Sequence, residues 1–109
     1  MIDWNQVKSL RNDLGHEEFL AVVELFFQEN DPVVQKLSHT ASAAESQSNF
    51  HFLKGTATFL GFSEFAALCA RNEDKAISGT LNALDIGETV ASYADSKAKF
   101  STSMGLSVG

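Results

Sequence analysis

A chain of 109 residues has room for one domain with one modest core, and too little for a nucleotide-binding domain beside a second catalytic one. Its formal charge of -6 leaves no basic stripe to neutralise nucleic-acid phosphates or to hold an anionic membrane surface. A single cysteine excludes an internal disulfide. The opening Met-Ile-Asp-Trp lacks the charged and apolar regions of a signal peptide, and no apolar run approaches the about 18 residues a membrane span needs, so a cytoplasmic protein is expected.

Helical periodicity with regular stop signals runs through nearly the whole chain. Asp3 with Gln6 forms a capping arrangement for a short first helix, in which Trp4, Val7, Leu10 and Leu14 recur at helical spacing and Gly15 ends it. Glu17 and Glu18 suit the positive end of a second helix. Its apolar residues Phe19, Leu20, Val22, Val23, Phe26 and Phe27 make a stripe too wide for one buried seam, which predicts contacts on two sides. Asp31-Pro32 either starts a new helix or kinks a long one reaching about His39, and the kink is the favoured alternative.

Ser42 and Glu45 have the spacing of a capping box that opens the next helix and places His51 well inside it. Ser46 and Asn49 fall on the core side of that helix. Gly61 closes it. Residues 63–78 form another, with Phe65, Leu68, Cys69 and Ala76 on one face and Gly79 as its stop. Asp85 with Glu88 offers a further cap, followed by a seam of Ile86, Val90, Tyr93 and Phe100 that Lys97 interrupts. From about Thr102 the small polar residues predict a frayed tail. Short connections between amphipathic helices favour antiparallel neighbours, so the expected fold is all-α: an up-down antiparallel four-helix bundle with a short additional N-terminal helix across one end, formed by one domain over residues 1–109.

Around the helix that carries His51 each residue advances about 100°. Phe52, Leu53, Thr56, Ala57 and Leu60 therefore gather on one side and His51 falls on the other. Lys54, Gly55 and Thr58, at i+3, i+4 and i+7, share the histidine's face. A cation thus sits beside the ring, with small residues leaving room above it. Gly55 inside a helix costs roughly 1 kcal/mol relative to alanine. Access to the imidazole is one compensation for that, and close helix packing the other.

The series His51, Lys54, Gly55, Gly61 and Cys69 resembles the signature of histidine-containing phosphotransfer (HPt) domains of multistep phosphorelays. Glu24-Leu25-Phe26-Phe27-Gln28-Glu29 is similar to the family's acidic and aromatic second helix, so the resemblance covers most of the chain. It implies a phosphorelay intermediate that accepts a phosphoryl group on His51 from a receiver-domain aspartate and passes it to another receiver. The implied partners are response-regulator receivers and a hybrid histidine kinase. No cofactor is expected in this chain, because the receiver brings the aspartate, the acidic pocket and the Mg²⁺. A bundle completed within one chain is expected to be monomeric.

In this reading Lys54 approaches a phosphoryl oxygen, its alternative being a solvated surface lysine. Thr58 supports the site or is a small surface residue. Phe59 and Phe62 border the docking surface, unless Phe62 belongs to the core. Glu73 stands where the family often has a side chain that holds the ring nitrogen not attacked, its alternative being a solvated acid, and just before it Asn72 replaces the family's usual Leu. Cys69 reads as a small buried hydrophobe. His16 lies near a helix start and His39 near a helix end, neither at metal-ligand spacing with His51, and no metal site is expected. Two other classes remain: a non-phosphorylated receiver-binding adaptor of the same fold, and the phosphoacceptor part of a histidine kinase, which would normally adjoin an ATP-binding domain.

Overall fold

The computed structural model describes residues 1–40 and 42–105. They form α1 (Trp4–Leu14), α2 (His16–Lys36), a 3-10 turn (Leu37–His39), α3 (Ala43–Leu60), α4 (Ser63–Ser78) and α5 (Ala83–Met104), with no strand among them. The body measures 42 × 25 × 20 Å. At 1.5 Å per residue α2 and α5 are about 32 and 33 Å long, so they fit only lengthwise. The most extensive helix–helix packing joins α3 to α4.

Side-chain caps set the helix starts. Asp3 Oδ1 accepts from the backbone N–H of Asn5 at 3.1 Å and of Gln6 at 3.2 Å. The Gln6 side chain does not return to close a box; its Nε2 donates to the Phe59 carbonyl at 2.9 Å and ties α1 to the end of α3. Ser42 Oγ caps α3 through the Glu45 N–H at 3.1 Å. At α5 the expected cap is displaced. Asn82, not Asp85, is the N-cap: Asn82 Oδ1 accepts the Asp85 N–H at 3.0 Å, and Asp85 Oδ2 accepts the Asn82 N–H at 3.2 Å. Both orphan donors are satisfied by this pair, so the helix begins a turn earlier than expected. It also runs to Met104 before Gly105 stops it, where fraying from Thr102 was expected. Residues 106–109 of that tail lie outside the described residues.

Helix α2 passes through Pro32 as one element and continues into the 3-10 turn ending at His39. Proline removes one helical hydrogen bond there, and the preceding Asp31 is pinned to α5. Its carboxylate accepts the Tyr93 hydroxyl and, at 2.8 Å, the Lys97 ammonium. Lys97 therefore interrupts the apolar seam without leaving a charge unpaired, and its ammonium lies 4.9 Å from the centre of the Phe27 ring.

Phe62 is the hub of the core. It is fully buried, with the rings of Phe26, Phe100, Phe27 and Tyr93 at 5.2, 5.7, 6.2 and 6.4 Å. This corrects the expectation that Phe62 borders a docking surface. The reason is the turn before it: Gly61 adopts φ +95°, and the N–H groups of Gly61 and Phe62 both bond the Ala57 carbonyl, at 3.0 and 2.9 Å. That left-handed cap reverses the chain and drives the next side chain inward.

Gly61 also has no room for a side chain, because a Cβ would sit 2.8 Å from the Asp3 carbonyl oxygen. Gly61→Ala is expected to lose at least about 1–2 kcal/mol from the left-handed backbone alone, read as a lower urea midpoint. An unchanged midpoint would show that the turn relaxes at no cost.

Candidate functional site

The buried stripe of α3 comprises Ser46, Asn49, Phe50, Leu53, Ala57 and Leu60, and that of α4 comprises Phe65, Ala66, Cys69, Asn72 and Ala76. Both follow the three- and four-residue spacing of a core face. His51 and Lys54 each follow a buried residue of α3 by one position, as Glu73 follows Asn72 on α4. All three occupy the edges where the two helices adjoin. The His51 side chain is 71% exposed and Glu73 13% exposed.

Glu73 is shared between the other two. Its Oε2 lies 2.8 Å from His51 Nδ1, and its Oε1 accepts from Lys54 Nζ at 2.7 Å. The Lys54 hydrogen bond foremost, and then that of His51, hold the Glu73 carboxyl below the usual carboxylate range against the opposing effect of burial. A carboxyl lowered on folding contributes stability above its ordinary range and loses it as pH falls through the lowered value, so Glu73 is ionised at neutral pH. An ionised carboxylate only accepts, which places the proton of neutral His51 on Nδ1. Nε2 has no hydrogen-bond partner among the described residues. Beside the ring a shallow depression opens between Ala44, Gln47, Ser48 and Glu73.

On the other side of Gly55 lies an apolar groove between α2 and α3, lined by Val22, Leu25, Phe26 and Phe59 among others. Leu25 is 52% and Phe59 48% exposed. Phe52 is exposed as well, not on the buried side to which its helical position assigned it. The wide apolar stripe of α2 thus packs on the core along one edge and borders open solvent along the other. Val22 and Leu25 line this groove without having been expected at the site; Val22 belongs to the wide stripe of α2 and Leu25 to its acidic and aromatic stretch. Thr58 is exposed on the histidine's face, but its hydroxyl bonds the Lys54 carbonyl at 2.8 Å.

Asn72 is fully buried where leucine was the family's pattern. Its Nδ2 donates to Thr89 Oγ1 at 2.6 Å, so the polar group is satisfied inside the α4–α5 interface and the aim of Glu73 is kept. Cys69 is fully buried, and burial pushes its thiol up to about 12. It is a packing residue, not a reactive thiolate. Among the described residues no group of three or more His, Cys, Asp or Glu is placed to hold a metal ion, and no helix is long and apolar enough to cross a membrane.

An exposed imidazole with one nitrogen held thus stands on a helix that also carries Lys54 and Gly55. Residues 21–97 match the model of the Hpt domain. The chain belongs to that family, whose domains serve histidine phosphotransfer in phosphorelays and carry phosphoryl groups rather than act as catalysts. No curated protein and no solved structure matches it.

A Cβ built on Gly55 meets nothing within 4 Å. Close packing therefore does not account for this glycine. Gly55→Ala is expected to be as stable as the wild type or more so, by up to about 1 kcal/mol, in a thermal melt. A marked loss of melting temperature would return Gly55 to a packing role.

Proposed function

We propose that the protein is a phosphorelay intermediate in which His51 Nε2 accepts a phosphoryl group from a receiver-domain aspartate and passes it to a second receiver. The observation that carries this reading is the Glu73 carboxylate on Nδ1, which leaves the opposite nitrogen exposed and unprotonated. The Nε2 lone pair attacks phosphorus, the bond from phosphorus to the aspartyl oxygen breaks, and the aspartate leaves as its carboxylate. The ring gains positive charge as the new N–P bond forms, and the Nδ1–H···Glu73 contact offsets it. Transfer of this kind depends on positioning and charge stabilisation.

Lys54 lies one helical turn from His51, and its ammonium supplies charge to the phosphoryl oxygens as they arrive. Gly55 leaves the approach to the ring open, and Thr58 keeps that face small. The groove edged by Phe59 and Leu25 is the docking surface for the receiver. An apolar rim suits a partner that binds transiently and excludes water from the reacting atoms.

The remaining parts of the reading follow from this division of labour. The aspartate, its acidic pocket and Mg²⁺ come from the receiver, and ATP is used by a hybrid histidine kinase upstream. The chain acts as one cytoplasmic, monomeric domain over residues 1–109, with α2 to α5 as an up-down antiparallel bundle. The short connections at Gly61-Phe62 and at residues 79–82 support that topology. The adaptor alternative gives no reason for an imidazole held in one tautomer.

His51→Gln should accept no phosphate from a phosphorylated receiver, whereas wild type should acquire an acid-labile, alkali-stable label. Labelling of the variant would move the site elsewhere. Lys54→Ala should slow transfer while leaving receiver affinity within about fivefold, since one partly exposed ion contact is worth only ~0.2–1 kcal/mol. Equal losses in both quantities would make Lys54 a docking residue.

A further inference from the structure

One polar contact in the α2–α3 interface has no part in the chemistry described so far. Asn30 of α2 is 1% exposed. Its Nδ2 donates to the Phe26 carbonyl at 2.7 Å, and its Oδ1 accepts from Thr56 Oγ1 of α3 at 2.7 Å. Among the described residues this is the one side-chain hydrogen bond that joins α2 to α3. Asparagine is a poor helix former, and a buried amide is expensive unless paired. Thr56 does not need Asn30 as a partner, because its own helix offers the Leu53 carbonyl at 3.2 Å and the Phe52 carbonyl at 3.4 Å. The link therefore places a buried amide and a half-buried hydroxyl between two helices that apolar contacts already hold together.

Its position shows what the connection does. Thr56 directly follows Gly55, and both Asn30 and Thr56 line the groove whose rim is Leu25 and Phe59. Leu53, Ala57 and Leu60 are buried on the core face of the same helix, but apolar burial is non-directional. Packing on α4 seats α3, but along the less extensive α2–α3 contact apolar burial tolerates a small rotation of one helix against the other. A hydrogen bond is directional, and this one stops that rotation. His51 lies five residues before Thr56 on the same helix, so the same rotation would swing the imidazole relative to the α2 rim of the groove.

We propose that Asn30 and Thr56 are a positioning pair: their hydrogen bond fixes the rotation of α3 against α2 and so aims a receiver seated in the groove at His51 Nε2. This rests on the reading of His51 as the phosphoacceptor. The pair touches neither the phosphoryl group nor the imidazole. It acts through the groove, on the rate of transfer inside the docked complex more than on the strength of docking.

The test compares wild type with Thr56→Val, Thr56→Ser and the double variant Asn30→Leu/Thr56→Val. Each is melted, labelled with phosphoramidate as a small donor that needs no docking, and titrated with a phosphorylated receiver from its own organism. Thr56→Val leaves a buried acceptor unpaired and should melt lower, whereas the double variant removes both partners and should recover most of that loss. Both should show a saturating transfer rate lower by about tenfold or more, since small misplacements of reacting atoms have large effects. The half-saturating receiver concentration should stay within about threefold, because Leu25 and Phe59 at the rim are unchanged and Thr56→Val keeps the shape of the groove wall that Thr56 lines. Thr56→Ser should restore the rate, and phosphoramidate labelling should be equal in all four proteins.

A double variant that transfers at the wild-type saturating rate would overturn the proposal and leave the pair a role in stability alone. So would a loss confined to the half-saturating concentration, or a parallel fall in phosphoramidate labelling. Failure of every receiver to label the wild type would instead overturn the reading of His51 itself, and the positioning proposal with it.

Discussion

The carboxylate of Glu73 is the point on which the site turns. It receives His51 Nδ1 on one oxygen and Lys54 Nζ on the other, and those two contacts decide which ring nitrogen is free and where the cation waits. The arrangement depends on α3 and α4 lying side by side in a fixed register, so the short reversal between them carries unusual weight. Gly61 makes that reversal in the left-handed region, with the Asp3 carbonyl packed where a side chain would stand. Phe62 then anchors the start of α4 among four aromatic rings. A residue twelve positions from Gly61 is aimed at the imidazole because the turn and the stripe from Phe65 to Ala76 leave α4 no other seating.

The division between rigid and open parts follows from the same packing. Edge positions of α3 and α4 hold the charged groups, and the core faces of both helices stay apolar apart from satisfied polar residues such as Asn72 and Asn49. On the α2 side the packing stops short, leaving Leu25 and Phe59 bordering a groove. The layout suits the proposed reading: the imidazole is held by its own chain, and the groove beside it is a shallow apolar border with few directional demands.

Much of this was legible in the sequence because spacing on a helix is a strong constraint. His51, Lys54 and Gly55 fall on one face by counting alone, and Glu73, reached through the resemblance to Hpt domains, stands at the ring nitrogen. The continuation of α2 through Pro32 and the burial of Cys69 also follow the sequence reading. What the residues alone did not reveal depends on tertiary choices between close alternatives. Phe62 reads as surface or core until the Gly61 turn directs it inward. Phe52 sits at the margin of the buried stripe and is exposed, a position where helical counting does not choose between core and solvent. Asn82 and Asp85 are both competent caps, and the reciprocal pair wins because it satisfies two donors. The Asn30–Thr56 link was invisible, since an asparagine in one helix and a threonine in another carry no mutual signal along the chain.

In the proposed reading Glu73 holds Nδ1 and leaves Nε2 to bond phosphorus. The most direct test is heteronuclear NMR on protein carrying ¹⁵N-labelled histidine, phosphorylated by a receiver, with the phosphorus–nitrogen coupling assigned to a particular ring atom. The coupling is expected at His51 Nε2, with Nδ1 still protonated and hydrogen-bonded. Phosphorus on His51 Nδ1, or on His16 or His39, would contradict the account.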